Sequence, residues 1–294
     1  MEKLLPPYRI DISDSILYIV FDETVTADFF FANCSDIQQI LEEGTYQGIL
    51  FNSLYIDFSK TTWFDTLAMC YMLMFADCAQ QRHTFTIRFY FSEVQEYSHL
   101  VFRAFLSDNG FLSQMERIGE MCNFGVIPEI QYSQVHKCIW PLQIFHQADE
   151  IEESINLIKK QLNNELSNTL NDYELENLVS KVTYFLQETL DNAYKHGYEQ
   201  IYSVNNSSHN GNSPCSLLIK RVKSSDTLDL KAYGTKYTEH TPYINISLFE
   251  EKQEYIEIYV ADIGMNRPLS SRQVKKEKLR HKGLVSVSKG SQTL

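Results

Sequence analysis

The chain lacks a long apolar run and an export signal. No segment sustains the roughly 18 apolar residues that a membrane-spanning helix needs. The first residues, MEKLLPPYRIDIS, carry two prolines where an export signal needs its apolar stretch. These absences predict a cytoplasmic protein that has no membrane partner.

The sequence also lacks any pair of cysteines in a CxxC arrangement. Zinc sites and disulfide frameworks depend on regular cysteine spacings, so neither is predicted. Buried free thiols are the simpler interpretation. The scattered cysteines are Cys34, Cys70, Cys78, Cys122, Cys138 and Cys215.

Positive charge is scarce, and the formal net charge is −12. A polyanion would be repelled at long range, so a nucleic-acid partner is not predicted, although a local basic patch stays open. The 294 residues are 44% hydrophobic, which is enough for two domains of ordinary size.

Residues 1–130 alternate β-rich runs with runs of helical periodicity, a pattern that predicts an α/β domain. The strongest strand is predicted at 53–58. A helix is predicted over 64–81 and another strand over 83–91. We therefore expect helices packed on a sheet in the first half of the chain.

A second organisation begins between residues 130 and 140, and the predicted domains are 1–130 and 138–294. The segment 205–214 is rich in turn-forming residues, which predicts a mobile loop. Residues 270–282 form a basic segment. In the second domain two helices and then two strands are predicted, at 149–166, 173–196, 216–222 and 255–260.

The second predicted helix carries a set of polar residues that core packing does not require. Glu188, Asn192, Lys195 and His196 lie three to four positions apart and so share one face. The amide oxygen of Asn192 can ligate a hard cation. Glu188, one turn earlier, can act as the base in phosphoryl transfer. An ordinary network of charges on an exposed helix is the alternative that spacing leaves open.

This run resembles the N-box of the GHKL superfamily, in particular that of anti-sigma-factor serine kinases, whose form is E-x-x-x-N-A-x-x-H-G-Y. The resemblance implies that ATP and Mg²⁺ bind here. It implies that Asn192 ligates the metal, that Glu188 is catalytic, and that Lys195 and His196 contact the nucleotide. The matching residues are Glu188, Asn192, Ala193, His196, Gly197 and Tyr198.

A second motif follows at 255–265, where an apolar run ends in Asp262-Ile-Gly264. This is similar to the G1 box of the same superfamily, which implies that Asp262 accepts a hydrogen bond from the adenine amino group. Gly264 would let the backbone approach the base. Asn266 replaces the second glycine of the motif, and Gly283 alone represents the later glycine-rich box. We expect a GHKL (Bergerat-type) α/β sandwich that is incomplete at its C-terminus.

The first half resembles a STAS domain along residues 54–66. Asp65 matches the aspartate of the family motif, and Thr66 stands where anti-sigma-factor antagonists carry a phosphorylated serine. The resemblance implies phosphorylation of Thr66. An equally weighted alternative is that Asp65 or Thr66 caps the following helix.

Together the motifs predict an α/β (α+β) chain with a STAS-like domain followed by a GHKL domain. The expected function is that of an ATP-binding regulatory protein with a protein partner, either a serine/threonine kinase or an ATPase switch in partner switching. The alternative is a non-catalytic interaction module that binds nucleotide weakly or not at all. A homodimer stays open. His136 and His146 do not lie in the helical context of a two-component phosphoacceptor.

Overall fold

The computed structural model describes residues 8–26, 28–94, 96–125, 136–168, 170–196, 214–223, 254–262 and 284–288. Strands and helices are mixed throughout these residues, which confirms the α/β class. The first half contains β1 (Tyr8–Ser13), β2 (Ile16–Phe21), β3 (Thr24–Val25), α1 (Asp28–Ala32), α2 (Cys34–Glu43), β4 (Thr45–Tyr46), β5 (Ile49–Leu50), β6 (Ser53–Phe58), β7 (Trp63–Phe64), α3 (Thr66–His83), β8 (Thr86–Phe91), α4 (Tyr97–Asp108), α5 (Phe111–Ile118) and β9 (Glu120–Cys122). The second half contains β10 (His136–Phe145), α6 (Ala148–Leu166), α7 (Asp172–His196), β11 (Cys215–Lys223), β12 (Glu254–Asp262) and β13 (Leu284–Ser288).

The first sheet has five strands in the order β1-β2-β6-β8-β9. The strands β2, β6, β8 and β9 are parallel, and β1 pairs antiparallel with β2 at the edge. Side chains alternate across the pleat, so Leu54, Ile56 and Phe58 enter the core while their neighbours face the other side. The strand predicted at 53–58 is confirmed.

Helix α3 is buried on almost every side, from Ala68 to Ala79. It packs against β8 and α2 of the first half and also against β11 and β12 of the second. A helix with apolar residues all round requires cover all round, and two sheets on opposite sides supply it. The two halves therefore share one apolar cluster, to which Leu218 and Tyr259 of the second half contribute.

The second sheet is antiparallel, in the order β10-β11-β12-β13. One face packs on α6 and α7 through residues such as Ile219 and Ile258. The other face contributes Leu218 and Tyr259 to the cluster around α3. The helices predicted at 149–166 and 173–196 are confirmed as α6 and α7, and the two predicted strands as β11 and β12.

A buried carboxylate ties α3 to both halves. Asp77 is fully buried, and its Oδ1 lies 2.7 Å from Nη2 of Arg117 in α5. Its Oδ2 lies 3.3 Å from Nε2 of His146, just after β10. Gln81 donates a further hydrogen bond to Asp77 at 3.1 Å. Such a buried charge is tolerated because several donors surround it.

Among the described residues, no helix has both the length and the apolar character needed to cross a bilayer. Within the described residues the first sheet ends with Cys122 and the second begins with His136, and the boundary between 130 and 140 stays a prediction. The loop was predicted at 205–214, and its residues 205–213 lie outside the described residues, as does the basic segment 270–282.

Candidate functional site

Helix α7 turns one stripe toward the second sheet and presents Glu188 and Asn192 of the N-box-like run on its opposite side. Leu186, Leu190 and Ala193 are buried in the cluster between α7 and the sheet. Glu188 and Asn192 are exposed, as the 3.6-residue period requires for positions about half a turn away from that stripe. The predicted shared face therefore exists, and it faces outward.

Lys195 is exposed on the same side of α7, and its Nζ lies 3.2 Å from Oδ2 of Asp191. An i,i+4 pair of this kind stabilises a helix only slightly. Lys195 therefore takes part in an ordinary ion pair on an exposed helix, as the alternative interpretation expects. The side chain of His196 lies outside the described residues, as do Gly264 and Gly283.

Asp262 is the last residue of β12 and is half-buried. Ile256, Ile258 and Val260 belong to the cluster on the helical side of the sheet, so alternation turns Asp262 to that side as well. Cys215 of β11 is its partner in the strand register. The acid therefore lies at the strand end, toward the layer that α7 covers.

Three carboxylates act on the buried thiol of Cys215. Burial is the largest cause of the raised pKa of this thiol, and the negative charges of Asp262, Asp191 and Glu150 raise the pKa further. These acids come from β12, α7 and α6, so three elements bring negative charge to one end of the sheet. The structure thus brings Asp262 near Asp191, the neighbour of Asn192, while Glu188 and Asn192 remain on the outer surface.

An exposed carboxylate and an exposed amide one helical turn apart offer oxygen ligands to a hydrated cation. Within the described ranges, no cluster of three or more His, Cys, Asp or Glu side chains could hold a metal ion. Magnesium usually keeps several waters and binds with substrate phosphates, so one or two oxygen ligands from the protein suit it.

The STAS-like motif lies where α3 begins. Asp65 is the N-cap, and its side chain accepts a hydrogen bond from the backbone N of Leu67 at 2.9 Å. The capping alternative is therefore confirmed for Asp65. Thr66 is 1% exposed, and its hydroxyl accepts a hydrogen bond from Nζ of Lys220 at 2.9 Å. Phosphorylation of Thr66 stays a prediction, and it would require α3 to separate from β11.

Lys220 was not among the residues predicted from the sequence, and it is 4% exposed, between α3 and the second sheet. Its Nζ lies 4.7 Å from the ring centroid of Phe105 and 5.7 Å from that of Tyr259. Burial lowers the pKa of Lys220, and the nearby carboxylate of Glu257 opposes this shift. Burial raises the pKa of Glu257, which accepts a hydrogen bond from Tyr259 Oη at 2.6 Å.

A sequence signal for Lys220 did exist. In β11, Leu217 and Ile219 face the helices, while Ser216, Leu218 and Lys220 face α3. Strict alternation along this strand therefore places Lys220 on the same face as the apolar Leu218. Lys220 is buried only because α3 covers this face of the sheet, and that cover depends on tertiary packing.

The chain was compared with protein-family models, with curated proteins and with solved structures, and no match was found in any of the three comparisons.

Proposed function

We propose that this chain is an ATP-binding regulatory protein, either a serine/threonine protein kinase or an ATPase switch of the anti-sigma-factor type. The supporting observation is the position of Asp262, at a strand end and on the helical side of the sheet. Its charge reaches the same thiol as that of Asp191, which adjoins Asn192. A nucleotide along the end of α7 would extend from this acid to the helix surface.

The proposed roles follow from the chemistry of the side chains. Asp262 accepts a hydrogen bond from the adenine amino group, and Asn192 offers its amide oxygen to Mg²⁺. Glu188 orients an attacking hydroxyl or water and takes its proton. Bound magnesium would offset the charge of the transferred phosphate. Lys195 and His196 contribute positive or hydrogen-bonding groups at the phosphates.

The layered arrangement of the second half supports this proposal. Two helices, α6 and α7, cover one face of a four-stranded antiparallel sheet. The resemblance implies an α/β sandwich, and a helical layer on one sheet is compatible with it. The opposite face contacts α3, so Asp262 and Tyr259 lie on the two sides of one strand. A displacement of β12 on nucleotide binding would therefore reach the STAS-like half and any protein that binds there.

A non-catalytic interaction module is the second candidate, and the exposure of Glu188 and Asn192 favours it. Both side chains lie on the outer surface of α7, and the neighbouring Lys195 is paired with Asp191. Such a surface could dock another protein without any nucleotide. Nucleotide binding and turnover therefore have to be measured separately.

Asn192→Ala is expected to weaken binding of a fluorescent ATP analogue about tenfold or more in the presence of Mg²⁺, because it removes a ligand of the bound cation. Without the metal its effect should be small. Asp262→Asn should weaken binding with and without Mg²⁺, because it changes the adenine contact. A fluorescence titration of each variant measures these affinities.

Asn156→Ala is the matched control, because Asn156 is an exposed asparagine on the neighbouring helix α6. Equal affinities for the Asn156 and Asn192 variants would contradict the role of Asn192. Glu188→Gln should abolish phosphate release or transfer and leave binding intact, whereas Glu153→Gln on α6 should change neither. Tight binding without turnover would favour a switch, and the absence of binding in every protein would favour the interaction module.

A further inference from the structure

The first sheet has one face that no described residue buries. The side chains of β1, β2, β6, β8 and β9 that point away from the core are all half-buried or exposed. Four of these strands are parallel, and parallel sheets almost always have both faces covered. The second sheet has clusters on both of its faces. We therefore expect a partner to cover the open face of the first sheet.

The strand register arranges this open face in rows, and two neighbouring rows cross all five strands, beside a third row of Ser13, Ile16, Ser53 and Thr86. The first row contains Asp11, Tyr18, Tyr55, Arg88 and Glu120. The second row contains Arg9, Val20, Asp57, Tyr90 and Cys122. Tyrosine and arginine are the residue types enriched at protein interfaces, and they occupy the middle of this face.

The charges of the two rows nearly cancel, with two arginines against three carboxylates. Arg9 Nε lies 2.9 Å from Asp11 Oδ2, and Arg88 Nε lies 2.7 Å from Glu120 Oε2. Arg88 also donates to Tyr55 Oη at 2.7 Å. A nucleic acid would find no basic patch here, and a basic peptide would find no acidic one. A second copy, repelled elsewhere by its net charge of −12, would meet little repulsion here.

The two rows are also complementary to each other. A two-fold axis can lie between two facing sheets, perpendicular to the strands and parallel to the two rows. This axis passes midway between the two rows. It sets the first row of one copy over the second row of the other. Arg9 then faces Asp11 of the second copy, Tyr55 faces its Asp57, and Arg88 faces the ring of its Tyr90. Each pairing occurs twice and is attractive.

We propose that the open face of the first sheet is a homodimer interface with this two-fold arrangement. The strands stay aligned across the axis, as they do when two sheets pack face to face. Four strands of six residues and one of three cover roughly 20 Å by 20 Å, or about 400 Å² per copy. A standard interface buries about 800 Å² per partner, so the dimer should be weak, with a Kd in the micromolar range.

Charge reversal at the edge of the interface tests the axis. Arg9→Asp makes both positions of the facing pair acidic, and Asp11→Arg makes both basic, so each variant should repel itself. Each alone should raise the dimer Kd about tenfold in sedimentation equilibrium at low salt. An equimolar mixture should restore a dimer close to wild-type affinity. Both residues are strongly exposed on β1, so folding should be unaffected, which circular dichroism would check.

Tyr55→Glu tests the centre of the interface, because it sets a carboxylate opposite Asp57 of the second copy. We expect this variant to be monomeric up to about a hundredfold above the wild-type Kd. Tyr173→Glu is the control, since Tyr173 is 79% exposed on α7 and should leave the dimer intact. A monomeric wild-type protein at several hundred micromolar would overturn the proposal. A dimer that is indifferent to Tyr55→Glu, or a charge-reversal mixture that stays monomeric, would overturn it too.

Discussion

Lys220→Met is expected to lower the free energy of unfolding by about 3 kcal/mol. The substitution keeps the length of the side chain but removes the ammonium group that donates to Thr66 and lies among the rings of Phe105 and Tyr259. Glu257 then loses the positive charge that opposes the effect of burial on its pKa. Urea denaturation measures the loss. Lys181→Met, at an exposed position of α7, should change stability by less than about 0.5 kcal/mol.

A second substitution identifies the source of this loss. Adding Glu257→Gln to Lys220→Met removes the unpaired charge and keeps an oxygen that can accept from Tyr259 Oη. The double variant should regain about 2 kcal/mol, because a buried carboxylate that has lost the cation acting on it destabilises the fold more than a neutral amide does. If the double variant were less stable than the single one, Glu257 would not be the group that Lys220 compensates.

The same comparison predicts a dependence on pH. Burial holds the pKa of Glu257 above its ordinary value, and without Lys220 the opposing effect is lost. A raised folded-state pKa gives stability that is present below the unfolded pKa and is lost as the pH rises through the folded one. The stability difference between the single and double variants should therefore be larger at neutral pH and shrink as the pH falls toward the ordinary pKa of a glutamate. An equal difference at neutral pH and at that lower pH would contradict this assignment.

Local periodicity predicted the elements whose environment is simple. Helices α6 and α7 each bury one stripe, so their apolar spacing marked them within a residue or two. Strand β10 was missed because Pro141 interrupts it, and the ladder to β11 shifts register around that residue. Proline in a strand argues against the assignment unless a bulge accommodates it, and a bulge is a tertiary feature.

At the candidate site, too, the features that depend on local spacing were predicted, and those that depend on tertiary packing were not. The spacing of Glu188 and Asn192 correctly predicted a shared helix face, since that depends only on the helical period. The acids that gather at this end of the sheet depend on how the helices pack against it. The charges of Asp191 and Glu150 act on the thiol of Cys215 together with that of Asp262. The burial of Thr66 could not be predicted either, because it results from contact with Lys220, 154 positions later.

Gly110→Ala is also expected to cost about 3 kcal/mol, and it tests how tightly the two halves fit together. Gly110 has a φ of +77°, which disfavours any residue with a Cβ. An added Cβ would lie 2.6 Å from Cβ of Pro141 and 3.0 Å from the backbone N of Leu142. That N donates to Asn109 O at 2.9 Å, so β10 cannot retreat without breaking the bond.

Gly48→Ala is the matched control, because Gly48 has the same φ of +77° and an added Cβ there would meet nothing within 4 Å. It should cost only the backbone strain, about 1 kcal/mol. The difference between the two variants in urea denaturation isolates the clash with β10, about 2 kcal/mol. Equal losses would mean that the turn before α5 can move away from Pro141. The halves would then be held together mainly by α3 and Lys220 rather than by this close approach.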